Sequence, residues 1–126
     1  MATTAADLNA IVKPYVKRLQ QDLDLDSVFF IDEAYDGVNG ALSDVRFIVV
    51  SPSFEGMDHT TRLRRLGLLG AIVNSAIQAW PYTPREIARH SNGEKYDLFL
   101  AQFLSGAREV YARSANAPRK NAGGEP

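Results

Sequence analysis

Charged side chains lie at both ends of a turn-rich loop that separates two apolar segments. Asp32 and Glu33 follow the segment 27–31, and Asp44 and Arg46 open the segment 44–51. On a β-strand, residues two apart point to the same face, so Asp44 and Arg46 would lie side by side. Two carboxylates in that relation can hold Mg²⁺ ions that clamp the attacking and leaving oxygens of a phosphoryl or nucleotidyl transfer. The residue type at position 46 therefore decides what this loop can do.

Arg46 opposes metal binding at that position. A guanidinium is effectively always charged. At about 4 Å and an effective dielectric near 20, opposite unit charges attract by roughly 4 kcal/mol, and a cation would meet comparable repulsion per unit charge. We therefore expect Asp44 to be the ion-pair partner of Arg46 rather than a metal ligand. Asp32 and Glu33 add negative charge where a triphosphate would need hydrogen-bond donors.

Hydrophobic periodicity predicts the elements that would position these residues. Apolar residues recur at helical spacing in 5–22, 61–73 and 94–105. The segments 27–31, 44–51 and 76–80 are typical of strands, and the apolar run in 44–51 indicates a strand covered on both faces. Thr83 followed by a proline predicts a further helix to about residue 89. We expect an α/β (α+β) domain over residues 1–112, with a mixed sheet of three to four strands packed by helices, and a disordered tail over 113–126.

Three local signals refine these bounds. Pro14 predicts a bend or a delayed start in the first helix, because proline lacks a backbone N–H. Thr60 or Thr61 is the expected cap of the second long helix. Pro81 is expected to end the third strand after Trp80.

Composition narrows the function classes. The chain has 126 residues, a net charge of −1 and no cysteine. The near-neutral charge gives no general reason to expect a nucleic-acid or membrane partner, and a thiolate nucleophile or cysteine-based zinc site is excluded. The first ten residues do not form a secretory signal, and no apolar stretch approaches a membrane span. We expect a cytoplasmic protein without a membrane partner.

The segment FFIDEAYDGVNGALSDVRFIVVS, followed by FEG, YTPREI and FLAQFLSGAREVY, resembles the minimal nucleotidyltransferases over about residues 6–111. In that family a Gly-Ser pair ends the first strand, a small-residue loop follows, and Asp-x-Asp opens the next strand. The resemblance implies a nucleotidyltransferase-like fold. It places Asp32 and Glu33 at the Gly-Ser positions, Gly37 in the loop, and Asp44 and Arg46 at the two aspartate positions.

A third acidic residue of the family aligns with Gln78, a neutral amide that is a poor magnesium ligand. One of three expected carboxylates therefore remains, at Asp44, and the resemblance implies a catalytically inactive member that needs no cofactor. The usual partner in the family is a helical HEPN-type toxin. The expected role is that of a protein-binding adaptor, an inhibitor, an antitoxin-like subunit, or an accessory subunit of a larger assembly.

Two alternatives remain open. In the first, the chain is a catalytically active, magnesium-dependent nucleotidyltransferase that uses Asp32, Glu33 and Asp44 as a rebuilt carboxylate cluster. The stretch FIVVSPSFEG with YTPREI is also similar to BolA-like proteins, which assist iron–sulfur handling with glutaredoxins. Their two histidine positions fall here at Leu63 or Arg64 and at Ala76, and their pattern leaves 94–105 unexplained.

Two further sets of residues are candidate contacts. Arg62, Arg64 and Arg65 crowd one helical turn; a solvated helix face is the ordinary interpretation, and an anionic partner surface or RNA is the alternative. Trp80 and Tyr82 either form an exposed aromatic anchor of an interface or close the core under the first helix.

Overall fold

A computed structural model of the chain describes residues 5–31, 45–74, 77–93, 100–101, 104 and 106–113. A four-stranded sheet has the order β3-β2-β1-β4; β1 is antiparallel to β2 and β4, and β2 is parallel to β3. This mixed sheet with helices confirms the predicted α/β class. In chain order the elements are α1 (Ala5–Asp22), β1 (Ser27–Phe30), β2 (Val45–Val50), a 3₁₀ turn (Pro52–Phe54), α2 (His59–Val73), β3 (Ile77–Tyr82), α3 (Pro84–Ser91) and β4 (Arg108–Ala112).

The two apolar segments on either side of the loop form adjacent strands, and these strands run antiparallel. Ser27 lies opposite Val50, and Phe30 lies opposite Phe47. Beyond the last registered pair, the Ile31 N–H donates to the Arg46 carbonyl at 2.9 Å. The strand alignment thus fixes where the 32–44 connection leaves and re-enters the sheet.

The first face of the sheet packs against α1 and α2. From α1, Val12, Tyr15 and Leu19 enter this core at helical spacing. The Tyr15 ring lies 5.0 Å from the Phe47 ring, between centroids. The helix begins at Ala5 and runs through the exposed Pro14, so the delayed start suggested by that proline does not occur.

The second face of the sheet has its own core, formed by Ile31, Ile48, Val50, Tyr82 and Leu100. Its partly buried neighbours are Phe29 on β1, Trp80 on β3, Ile87 on α3 and Leu104 after α3. Both faces of β2 are therefore covered, as its apolar run predicted. Most of the predicted 94–105 helix lies outside the described residues, although positions 100 and 101 are helical.

The start of α2 differs from the prediction. Its cap is Asp58, whose side chain accepts a hydrogen bond of 2.7 Å from the Thr61 N–H, so Thr60 and Thr61 are inside the helix. A carboxylate at the cap also interacts favourably with the positive end of the helix dipole. At the other end, α2 approaches β3 closely: a Cβ on Gly70 would lie 3.1 Å from the Ile77 side chain.

Proline at position 81 does not end the third strand, which continues to Tyr82. The Tyr82 carbonyl accepts from the Ser51 N–H at 2.9 Å, so the alternation of a strand turns the Pro81 nitrogen away from β2. β3 is an edge strand within the described sheet, where a missing donor breaks no pairing. The other edge, β4, has a register irregularity opposite Val28 and Phe29. Both features discourage further strand addition.

The buried Tyr15 hydroxyl gives a test of this core. Tyr15 is fully buried, and its oxygen has no hydrogen-bond partner among the described residues. A buried unsatisfied hydroxyl costs about 1–3 kcal/mol, so we predict that Tyr15→Phe raises the free energy of unfolding by about 1 kcal/mol or more. Urea unfolding monitored by circular dichroism measures it. The matched control is Tyr111→Phe, which removes a hydroxyl that accepts from Gln20 at 3.3 Å near the surface and should change little.

Burial also raises the pKa of Tyr15 above its ordinary value. The folded state therefore holds the proton more tightly than the unfolded state, and the free energy of unfolding should fall as the pH rises above about 10. Tyr15→Phe should remove this part of the decrease in the free energy of unfolding at alkaline pH. A variant that is less stable than the wild type at pH 7 would contradict this description of the core.

Candidate functional site

The starts of β2 and β3 bring together two of the residues singled out in the sequence. The parallel register pairs Arg46 with Gln78, and Ile48 with Trp80. Because registered residues share a face, the guanidinium and the amide lie on the second face of the sheet. Gln78 is exposed and Arg46 is partly buried.

The Arg46 guanidinium lies over the Trp80 ring. The guanidinium carbon lies 6.0 Å from the centroid of the indole ring, at the outer limit of a cation–π contact. Trp80 is itself partly buried against the second core. The site therefore combines a permanent positive charge, an aromatic face and an exposed amide. We name Arg46, Gln78 and Trp80 the strand-start site.

Metal binding does not suit this donor set. A guanidinium supplies N–H donors only, and an indole supplies one. Within the described ranges, no group of three or more histidine, cysteine, aspartate or glutamate side chains could hold a metal ion. The strand-start site is instead suited to groups that accept hydrogen bonds, such as carboxylates and carbonyls.

Four of the predicted positions lie outside the described residues: Asp32, Glu33, Gly37 and Asp44. The expected Asp44–Arg46 ion pair remains a prediction for the same reason.

Two of the three arginines on α2 tie the helix to its neighbours. Arg62 contacts both carboxylate oxygens of Glu86 on α3, at 2.9 and 3.1 Å. Arg65 donates to the Asp22 carbonyl at the end of α1, at 2.8 Å. Arg64 is exposed. The cluster is therefore mainly structural, and its three members do not form one basic surface.

Glu86 joins the Arg62 contact to the cap of α3. Its carboxylate accepts from the Thr83 N–H at 2.8 Å, and the Thr83 hydroxyl accepts from the Glu86 N–H at 3.1 Å. This capping box confirms the predicted helix start. Partial burial opposes ionisation of Glu86, but hydrogen bonds from Arg62 and Thr83 outweigh it and lower the pKa of the carboxyl.

Trp80 and Tyr82 pack on the second face of the sheet, whereas α1 covers the first. The alternative in which they close the core under the first helix is therefore wrong. Tyr82 is buried, so of the two only Trp80 contributes to an accessible surface. The alternation along β3 explains this, because the two residues share one face and Ala79 points to the other.

A buried polar cluster at the opposite end of the sheet was missed by sequence reasoning. The Arg113 guanidinium forms an ion pair with Asp24, with side-chain exposures of 14% and 5%. The Ser51 hydroxyl donates to the Asp24 carbonyl at 2.9 Å, and the Ser53 hydroxyl accepts from the Asp24 N–H at 3.0 Å. Asp24 lies 89 residues before Arg113, so no local pattern could have paired them.

Comparison with known proteins leaves both sequence resemblances in place. No protein-family model matches the chain, and no curated protein matches it. A structure described as "a putative nucleotidyltransferase from Sulfolobus solfataricus" is similar over 71% of this chain and 84% of its own, with 13% identity and a TM-score of 0.49. BolA1 from Arabidopsis thaliana is similar over 62% of this chain and 95% of its own, with 23% identity and a TM-score of 0.48. A choice between the two families must come from this chain's own residues.

No helix in the described part of the chain has the length and apolarity needed to cross a membrane.

The Asp24–Arg113 ion pair gives the second prediction. Arg113→Met keeps an aliphatic stem but removes the charged partner of a buried carboxylate. Breaking such a pair costs about 3–5 kcal/mol, so we expect a loss of that order in the free energy of unfolding from urea titration. The control is Arg85→Met, since Arg85 is 75% exposed and lies 3.8 Å from Glu55; surface pairs of this kind contribute at most about 1 kcal/mol. Equal losses in the two variants would contradict the structural role of the buried pair.

Proposed function

We propose that this chain is a nucleotidyltransferase-like domain that does not transfer nucleotides and that acts by binding another protein. Its role would be that of an adaptor, an inhibitor or an antitoxin-like subunit. The observation that carries the proposal is the register between Arg46 and Gln78. These are the positions at which the sequence resemblance places the second and third carboxylates of a magnesium site.

The register explains why the exchange of residue types matters. Carboxylates at 46 and 78 would lie on adjacent strands of one face and could share a metal ion. The residues present replace that pair with a positive charge and a neutral amide. Repulsion of about 4 kcal/mol per unit charge at 4 Å disfavours Mg²⁺ beside the guanidinium. Nucleotidyl transfer needs such ions to neutralise the developing phosphate charge.

A surface of this kind is suited to contact with a protein. Arginine and tryptophan are enriched at protein interfaces and carry a large share of their binding energy. Here the Arg46 guanidinium already lies over the Trp80 ring, and the Gln78 amide beside them is exposed. The partner implied by the resemblance is a helical HEPN-type toxin or a larger assembly. Its carboxylate and carbonyl groups would accept hydrogen bonds from the strand-start site.

Two structural features favour this proposal over a BolA-like role. Leu63 and Arg64, on α2, stand where the resemblance to BolA would require a histidine. The chain also adds a strand, β4, to the edge of β1, and packs Leu100 and Leu104 on the second face. These residues follow YTPREI, where the BolA-like pattern ends.

Titration calorimetry with Mg²⁺ and each nucleoside triphosphate tests whether the chain has lost the magnesium and nucleotide binding that nucleotidyl transfer requires. We expect no binding by the wild type tighter than about 1 mM. The double variant Arg46→Asp with Gln78→Asp should gain Mn²⁺ or Mg²⁺ affinity, because it restores two carboxylates to registered positions. The matched control is Arg108→Asp with Gln20→Asp, which makes the same charge changes away from the strand-start site and should gain none.

Tight magnesium-dependent ATP binding by the wild type, lost in Asp44→Ala, would contradict the proposal and support the rebuilt carboxylate enzyme. Capture from the native host tests the binding role. A partner retained by the wild type and by Arg108→Glu, but lost in Arg46→Glu, would support binding at the strand-start site. A partner retained equally by all three would contradict it.

A further inference from the structure

The outer face of α2 carries aliphatic side chains that the described part of the chain leaves exposed. Leu68 is 65% exposed and Ile72, one turn later, is 61% exposed. Arg64, Gly67 and Ala71 are exposed beside them. Leu63 is 38% exposed but lies roughly 140° around the helix from Leu68 at 100° per residue. The apolar strip is therefore formed by Leu68 and Ile72 with the small residues next to them.

Four of these residues have the spacing of a socket for a side chain from another helix. When two helices pair, a knob residue of one packs into a hole formed by residues i, i+3, i+4 and i+7 of the other. On α2 these positions are occupied by Arg64, Gly67, Leu68 and Ala71. We name these four residues the α2 notch. Gly67 and Ala71 make it deep, and a Cβ added at Gly67 would meet no atom within 4 Å. None of the residues that the structure describes requires a glycine there, although glycine in a helix interior is less favourable than alanine.

We propose that the α2 notch is the contact surface of a homodimer, in which α2 packs antiparallel against α2 of a second copy across a twofold axis near Leu68. A twofold interface must be self-complementary, and this face holds both a knob, Leu68, and the socket that would receive it. Each copy inserts Leu68 into the notch of the other. The proposal is independent of the function assigned to the strand-start site.

The charges on α2 fit an antiparallel arrangement. The helix contains no acidic residue and no basic residue in its last turn. With the axis at Leu68, Arg64 of one copy lies beside Ile72 of the other, so its stem covers that aliphatic side chain. Its guanidinium then reaches the negative C-terminal end of the partner helix. The two Arg64 positions are about 12 Å apart along the axis, beyond the screening length of about 8 Å at physiological salt.

Other modes of association are less suited to this chain. Both described sheet edges are blunted, by Pro81 in β3 and by the register irregularity in β4. A single pair of 15-residue helices buries less than the roughly 800 Å² per partner of a stable interface. We therefore expect a weak dimer, with a dissociation constant on the order of 100 µM.

Sedimentation equilibrium of the full chain from about 10 to 500 µM, a range that brackets the expected dissociation constant, tests the dimer. The wild type should pass from monomer to dimer. Leu68→Glu should weaken association at least about tenfold, whereas Leu63→Glu should leave it unchanged. Gly67→Leu fills the notch and should also weaken association, yet its melting temperature at low concentration should be equal or higher, because the site is open and leucine favours a helix. That combination separates a lost interface from a damaged fold.

The absence of cysteine permits a direct test of the geometry. A residue near a twofold axis meets its own copy, so mild oxidation of Leu68→Cys should give a covalent dimer, and Leu63→Cys should not. A chain that is monomeric at all concentrations would overturn the proposal. A dimer that survives both Leu68→Glu and Gly67→Leu, or equal crosslinking of the two cysteine variants, would overturn it as well.

Discussion

The ion pair between Asp24 and Arg113 is the contact on which the arrangement of the sheet depends. It joins the residues that lead into β1 to the residue that follows β4. In the same connection between α1 and β1, the Asp26 N–H donates to the Val50 carbonyl at 2.9 Å, and the Asp26 carbonyl accepts from the Arg113 N–H at 2.8 Å. Ser51 and Ser53 complete the cluster after β2. Buried charges are costly unless paired and hydrogen-bonded, so this end of the sheet has few alternative arrangements.

With one end fixed, the register is carried along the strands to the other end. Ser27 lies opposite Val50 at the ion-paired end, and Phe30 lies opposite Phe47 three residues later. The parallel β2–β3 register then places Arg46 beside Gln78. A slip of one residue would move Arg46 to the first face, into the core formed with α1 and α2. The buried polar cluster and the strand-start site are thus coupled through strand geometry, although they lie at opposite ends of the sheet.

Sequence reasoning was accurate where the signal was local. Helical spacing predicted α1 to its bounds at Ala5–Asp22, and the apolar run of β2 predicted a strand covered on both faces. Thr83 followed by Pro84 also predicted the cap and the start of α3. The cap of α2 was misplaced because Asp58 and two threonines all accept hydrogen bonds well, and the choice among them depends on how the preceding turn enters the helix.

The remaining features depend on contacts distant in sequence. Pro81 is tolerated inside β3 only because that strand lies at a described edge of the sheet, which its own sequence does not reveal. In the sequence, Arg62 and Arg65 have the pattern of surface residues. Their hydrogen bonds to Glu86 on α3 and to the Asp22 carbonyl at the end of α1 form only in the folded chain. The pairing of Arg46 with Gln78 could be predicted only in part. The family resemblance places the two positions in one site, but only the parallel register of β2 and β3 shows that they are neighbours.

In the function that we propose, the strand-start site repels the metal ions on which nucleotidyl transfer depends. A crystal of the wild-type protein grown with Mn²⁺ and a non-hydrolysable ATP analogue tests it most directly, because manganese is located by its anomalous scattering. We predict no anomalous peak beside the starts of β2 and β3. A manganese ion there, held by carboxylates near Arg46 and bridging to the triphosphate, would contradict the account.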